Sequence, residues 1–172
     1  MSNVNLTDTS YAVLGLIDEL GPSTPYQLKS LASISVFHFW TIPHTQIYTE
    51  CRKLAEAGLL DEQREETGRR RRTYRLTAKG RKALSEWRAD PNTNLYELRD
   101  PGLLKLFAGG DPGALAETQL EAHERRLHSY EALRESMRDM PEGMRLALEA
   151  GIGHAREYVR FWSRLREQGP KR

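Results

Sequence analysis

PHTQIYTECRKLAEAGLL at residues 43–60, followed by ETGRRRRTYRLTAKGRKAL at residues 66–84, is the stretch that decides the fold. In its first part, Ile47, Cys51, Leu54 and Gly58 are spaced by four, three and four positions, which places them on one face of a helix. Residues 59–64 and 71–76 are strand-like runs on either side of a turn that contains glycine. The stretch therefore predicts a helix followed by a β-hairpin.

Two further helices are predicted upstream. Thr7 is a suitable cap for a helix over residues 8–20, and Thr24 caps a second helix, with Pro25 in its first turn. Pro43 is predicted to open the third helix, with Thr41 or Ile42 as its cap, and Gly58 to end it. Three helices followed by a hairpin is the element order of a winged helix-turn-helix.

The second half of the chain is predicted to be helical. A polar break at residues 90–94 separates a DNA-binding domain at residues 1–90 from a helical dimerisation domain at residues 95–168. Thr77 caps a fourth helix before this break, with Ala83, Leu84 and Trp87 facing inward. After the break, two long helices carry apolar residues at three-and-four spacing, which is typical of antiparallel helix pairs. The fold class is thus mainly α, with a small β-hairpin wing.

Charge is informative locally and not in bulk. The 172 residues are 38% hydrophobic and 29% charged, and the net charge of +2 does not by itself indicate nucleic acid. Residues 64–75, however, hold six arginines against two glutamates.

The single cysteine excludes an internal disulfide, and the chain contains neither a long apolar run nor a secretory leader. We therefore expect a cytoplasmic protein.

The third helix has a face suited to the major groove of DNA. If Ile47 faces the core, a turn of about 100° per residue puts Thr45, Thr49 and Arg52 on the opposite side. Alternation along the second strand puts Arg71 on one face of the hairpin and Arg72 on the other. The residues predicted to contact DNA are His44, Thr45, Gln46, Tyr48, Thr49, Arg52 and Lys53 on the helix, and Arg69, Arg70, Arg71 and Arg72 on the hairpin.

These stretches resemble the PadR family of bacterial transcriptional regulators. QIY at residues 46–48, LAEAGL at residues 54–59 and YRLTAKG at residues 74–80 match its recognition helix and the exit from its wing, and LTDTSYAVLGLIDELGPSTPYQLK at residues 6–29 fits its first two helices. The second half is similar to the larger C-terminal helical domain of one subgroup. The resemblance implies a homodimer that binds promoter DNA, usually as a repressor released by a small molecule.

Several residues have alternative interpretations. Tyr130, Tyr158 and Trp162 could line an effector pocket or belong to the core of the domain or dimer. Cys51 could be a redox or metal sensor, although its place on the apolar stripe favours a core role, and its spacing from His38 and His44 matches no common zinc pattern. A protein-interaction adaptor is a further alternative, because winged helices also serve that purpose. The sequence indicates no catalytic residue, cofactor or metal site.

Overall fold

The computed structural model describes residues 5–36, 39–65, 71–136 and 138–167. The chain divides into two compact units, Met1–Thr93 and Asn94–Arg172. The first contains α1 (Asp8–Leu20), α2 (Pro25–Ser33), α3 (His44–Glu56), β1 (Leu60–Arg64), β2 (Arg72–Leu76) and α4 (Ala78–Ala89). The second contains α5 (Pro101–Phe107), α6 (Pro112–Ser136) and α7 (Glu142–Glu167). The predicted fold class, mainly helical with one hairpin, is confirmed.

Local capping explains where the first helices begin. The Thr7 side chain accepts the backbone N–H of Ser10 and the Ser10 side chain accepts that of Thr7, so a capping box opens α1. Thr24 and Gln27 form the equivalent box at α2, with Pro25 in its first turn. Both caps are as predicted.

The start of α3 differs from the prediction. The helix begins at His44, and Pro43, with an extended ψ of 139°, is the cap residue instead of Thr41 or Ile42. A proline side chain has no acceptor for the free N–H groups of the first turn, and α3 accordingly has no side-chain cap hydrogen bond. Gly58, with φ of 73°, follows the helix in the left-handed conformation that was expected.

The strands β1 and β2 form an antiparallel hairpin, which we call the wing. Its register pairs Leu60 with Leu76 and Arg64 with Arg72. Ser23, just before α2, extends this pairing, which the sequence pattern did not predict. The N–H of Ser23 donates to the carbonyl of Tyr74 at 2.9 Å, and the N–H of Tyr74 donates back at 2.9 Å. The wing is therefore attached to the helices by backbone hydrogen bonds.

The core of the first unit joins its helices and the base of the wing. Its buried side chains include Val13, Leu14, Ile17, Leu28, Ile47, Cys51, Leu54, Tyr74 and Leu84. Trp87 was expected to face inward, but it is 44% exposed. It stacks on Tyr11 of α1 instead, with ring centroids 4.8 Å apart and an interplanar angle of 9°.

The antiparallel helices α6 and α7 of the second unit pack through two separate apolar clusters. We call them the Tyr130 cluster, with Tyr130, Leu148, Ile152 and Ala155, and the Trp162 cluster, with Ala116, Leu120 and Trp162. Along α6, Leu120 and Tyr130 are buried, whereas His123, Leu127 and Leu133, which lie at helical spacing from them, are half-buried. Among the described residues, no helix is long and apolar enough to cross a membrane.

Candidate nucleic-acid interface

The outward side of α3 carries the side chains predicted to read DNA. We call His44, Thr45, Gln46, Thr49 and Arg52 the recognition face; all five are exposed. Tyr48, on the flank, is 51% exposed, and Lys53 is half-buried. The inward side carries Ile47, Cys51 and Leu54, which are fully buried. The helix therefore presents short polar side chains and one arginine to solvent while its apolar stripe holds it in place.

The arginines of the wing are more neutralised than the sequence suggested. Arg71 and Arg72 are exposed, whereas Arg69 and Arg70 lie outside the described residues. The Nε of Arg64 donates to Glu62 at 2.6 Å, and Arg72 lies 3.6 Å from the same carboxylate. Arg75 pairs with Asp61 across the hairpin at 2.7 Å. Two carboxylates of β1 thus pair with three of the basic side chains and reduce their net charge to +1.

Glu62 also connects the two strands through Tyr74. The hydroxyl of Tyr74 donates to the second oxygen of Glu62 at 2.8 Å. The hydrogen bond from Arg64, with smaller effects of Tyr74 and Arg72, lowers the pKa of Glu62. Burial and then the Glu62 hydrogen bond raise the pKa of Tyr74 to about 12. Glu62 is therefore a charged acceptor at neutral pH, and it organises the base of the wing.

Sequence reasoning missed Glu50. This residue of α3 is only 6% exposed. Its carboxylate accepts a 2.5 Å hydrogen bond from Ser10 of α1 and a 3.1 Å hydrogen bond from Lys53 of its own helix. Spacing could have revealed it, because Glu50 follows Ile47 by three positions and precedes Leu54 by four, which places it on the buried stripe.

Cys51 lies fully buried on the same stripe. Burial, together with the neighbouring charge of Glu50, raises the pKa of its thiol to about 12. A thiol with so high a pKa is neutral at physiological pH and a poor nucleophile. Its surroundings therefore favour the core role over the redox role.

The metal-sensor alternative at Cys51 has no support in the described part of the chain. No group of three or more His, Cys, Asp or Glu side chains there is arranged to hold a metal ion. His38 lies outside the described residues, His44 is exposed at the start of α3, and Cys51 is buried on its inward side.

The aromatic residues proposed for an effector pocket lie in two places. Tyr130 belongs to one cluster of the helical unit, whereas Trp162 is buried in the other with Tyr158 packed against it. The rings of His123 and His154 lie 4.6 and 4.8 Å from the Tyr158 ring. Burial, more than the coulombic effect of Arg126, lowers the pKa of His123. The structure thus groups Tyr158 and Trp162 with two histidines and separates them from Tyr130.

Two buried donors in this group have no hydrogen-bond partner within the described residues: the Tyr158 hydroxyl and the Trp162 Nε1. Burial, followed by the nearby Asp100 carboxylate, raises the pKa of Tyr158 to about 12. Asp100, whose Oδ1 accepts the backbone N–H groups of Gly102 and Leu103 at 2.7 and 3.0 Å, is thus close enough to affect the Tyr158 hydroxyl without forming a hydrogen bond of good geometry with it. Unsatisfied buried donors are uncommon and often mark functional positions.

Three helices followed by a two-stranded hairpin, with a polar exposed face on the third helix, define a winged helix-turn-helix transcriptional regulator. Residues 13–86 match the family model described as the transcriptional regulator PadR-like family, and residues 98–168 match the model described as virulence activator alpha C-term. The winged-helix part of the chain is therefore a PadR-like domain, and the helical part matches the C-terminal domain of a virulence activator. The protein is a DNA-binding regulator of transcription and not an enzyme.

Known proteins of this family resemble the chain over nearly its whole length. The negative transcriptional regulator PadR of Bacillus subtilis is 27% identical over 165 residues, which cover 87% of this chain and 90% of the relative. The crystal structure of B. subtilis PadR with operator DNA has a TM-score of 0.83 at 23% identity and covers 94% of this chain and 99% of that one. The structure of the same protein with p-coumaric acid has a TM-score of 0.76 at 22% identity, with coverages of 94% and 98%.

Proposed function

We propose that this protein is a ligand-responsive repressor that binds, as a homodimer, an inverted-repeat operator in the cytoplasm. Residues 1–90 would bind DNA, and residues 95–168 would provide the dimer contact. The observation that carries the proposal is the exposed polar recognition face of α3 beside the wing. The repressor assignment is supported by the B. subtilis relative, which is a negative regulator.

DNA recognition is divided between the two elements. The recognition face supplies short polar groups and Arg52, which suit base edges in the major groove. Tyr48 and Lys53 flank this face; Tyr48 is placed for the phosphate backbone, whereas Lys53 could contact phosphate only by leaving its ion pair with Glu50. In the wing, Arg71 and Arg72 are exposed and would add affinity that depends on salt and not on sequence. Arg69 and Arg70 are proposed for the same role from the sequence alone.

A homodimer is supported by apolar side chains that the second unit leaves in solvent. Leu95 and Phe107 are 91% and 90% exposed. A second copy of the chain would cover them, and a two-fold dimer would place its recognition helices on half-sites about one helical turn apart. Light scattering should give twice the chain mass. Phe107→Ser should shift the protein toward monomer, whereas Lys105→Ser on the same helix should not.

An effector site is proposed at Tyr158 and Trp162, near His123 and His154. Their two unpartnered donors suit a small molecule with acceptor oxygens, and the structure of the B. subtilis protein with p-coumaric acid supports this chemistry. Tyr130, in the other cluster, is a weaker candidate for the site. The effector would release DNA by binding more tightly to the DNA-free state of the protein.

The DNA assignment can be tested with duplexes selected by the protein from a randomised pool. Arg71→Ala should weaken binding to all sequences and reduce the salt slope by about 1, while Arg52→Ala should cost about 1–3 kcal/mol at particular base pairs. Equal effects of the two variants would contradict the assignment of the faces. Affinity that does not change with salt would favour the protein-interaction adaptor instead.

A further inference from the structure

Helix α3 contains a buried carboxylate, and the free-energy cost of burying it must be offset. Glu50 lies within the apolar stripe of α3, between Ile47 and Leu54, and it is the one charged residue buried among those the structure describes. An ionised carboxylate removed from water destabilises a fold unless it is paired and hydrogen-bonded. Its partners therefore decide which packing of α3 is tolerated.

The first partner is the opening turn of α1. The Ser10 side chain is fully buried, and its Oγ accepts the backbone N–H of Thr7 at 3.0 Å while its own proton goes to Glu50 Oε1 at 2.5 Å. The capping box of α1 thus holds the Ser10 hydroxyl at one position. Hydrogen bonds in such a series strengthen one another in a buried setting.

The second partner lies at the edge of the DNA-facing side. The Lys53 ammonium, on the flank of α3, donates to the same Oε1 of Glu50 at 3.1 Å. One carboxylate oxygen therefore joins the capped start of α1 to the middle of α3 and holds a cation that would otherwise be free to contact phosphate.

A contact of this kind sets the rotation of a helix more strictly than apolar packing does. Shifting α3 by one residue turns it by about 100°, which would carry Glu50 away from Ser10 and the recognition face away from DNA. Apolar side chains tolerate repacking. A buried polar contact admits one arrangement, as a single polar residue fixes the register of a coiled coil.

We propose that Glu50 is a positioning residue for DNA recognition, which fixes the orientation of the recognition face through Ser10 and restrains Lys53. This inference rests on the proposed function, because it assumes that α3 discriminates between sequences.

The experiment compares a duplex selected from a randomised pool by the unaltered protein with a shuffled duplex of the same composition. Ser10→Ala should lower the ratio of the two affinities about tenfold, the effect of one lost base contact. Its affinity for the shuffled duplex and its salt slope should not change, because the pair of Glu50 and Lys53 remains. Gln27→Ala, which removes the capping-box link of α2 without touching α3, is the matched control and should keep the ratio.

Glu50→Gln separates the two partners. Glutamine is nearly the same shape and its Oε1 still accepts from Ser10, but it no longer attracts the Lys53 ammonium by charge, so binding to the shuffled duplex should tighten and its salt slope should steepen by about 1. Glu19→Gln removes the same charge from an exposed position on α1 and should change neither quantity.

The outcomes distinguish positioning from a merely structural role. Thermal unfolding gives the folded fraction of each variant, and affinities are corrected for it. The inference would be overturned if the affinities for both duplexes fell together with the folded fraction. It would also be overturned if the ratio of the two affinities were the same for Ser10→Ala as for Gln27→Ala. A pool that yields no enriched duplex for the unaltered protein would instead overturn the proposed function. Enrichment without an effect of Ser10→Ala would leave that function standing and refute only the role of Glu50.

Discussion

Gly80 and Leu59 approach so closely that a Cβ on Gly80 would lie 2.2 Å from the carbonyl oxygen of Leu59. This contact joins the first turn of α4 to the backbone that enters the wing, and it leaves no room for a side chain. Gly80→Ala should therefore force the backbone apart and lower the free energy of unfolding by about 1–3 kcal/mol, as overpacking does. Urea unfolding would measure the loss.

Gly15 provides the control for this substitution. It lies within α1, and an added Cβ would meet nothing within 4 Å. Gly15→Ala should stabilise the protein by up to about 1 kcal/mol, because alanine has the higher helix propensity. Similar losses at Gly80 and Gly15 would mean that the contact with Leu59 is not the cause.

Removing the charge of Glu62 should strengthen binding to DNA of any sequence. Its carboxylate balances Arg64 and Arg72 at the base of the wing. In Glu62→Gln these guanidinium groups lose that pairing, so affinity for a random duplex should rise and its salt slope should steepen by about 1. Fluorescence anisotropy at two salt concentrations would measure both. Glu86→Gln on α4 removes an equal charge away from the wing, and a gain of the same size there would refute the explanation.

Cys51 should resist thiol reagents while the protein is folded. A pKa of about 12 keeps the thiol neutral at pH 8, and the side chain is fully buried. A colorimetric disulfide reagent should react with it at an appreciable rate only after denaturant is added. Rapid modification of the native protein, coupled to release of DNA, would restore the redox-sensor alternative.

The same pKa predicts how stability depends on alkaline pH. The folded state holds the Cys51 proton more tightly than the unfolded state, in which the pKa is near the ordinary 9.0. This contribution is fully present below pH 9 and is lost as pH rises from about 9 toward 12. Cys51→Ala should therefore lose less unfolding free energy than the unaltered protein over this window. Parallel curves for the two proteins would contradict the shift.

Tyr158→Phe should separate effector binding from folding. The Tyr158 hydroxyl is buried without a hydrogen-bond partner among the described residues, so its removal should leave the melting temperature unchanged or slightly raised. With p-coumaric acid as the first probe, the unaltered protein should release a selected duplex and Tyr158→Phe should require more of the acid. Equal release by the two proteins would place the effector elsewhere.

Much of the fold could be predicted because its signals are local. Thr7, Thr24 and Gly58 each act on backbone groups within a few residues, and the apolar spacing of α3 needs no knowledge of the rest of the chain. The predicted cap of α3 was one or two positions too early. A cap residue is recognised by its side-chain acceptor, and the observed cap, Pro43, has an extended ψ but no such acceptor.

What the sequence could not supply depends on residues far apart in the chain. The carboxylate of Glu50 is hydrogen-bonded by Ser10, which is 40 positions away in the chain, and the ring of Trp87 stacks on that of Tyr11. The arginine run also looked more positive than the wing is, since Arg72 meets Glu62 and Arg75 meets Asp61 only across the hairpin register. Tertiary contacts of this kind override expectations from charge runs and helix faces.

The gap between the Tyr130 and Trp162 clusters has a consequence for how the second unit opens. Residues 121–129 of α6 are all exposed or half-buried, and within this stretch Leu127 is the apolar side chain that packs against the Tyr130 cluster. Each half of the helix pair can then open without the other, at a free energy below that of global unfolding. Amide hydrogen exchange along α6 should show two slow stretches, at residues 116–120 and near residue 130, with a faster one between them.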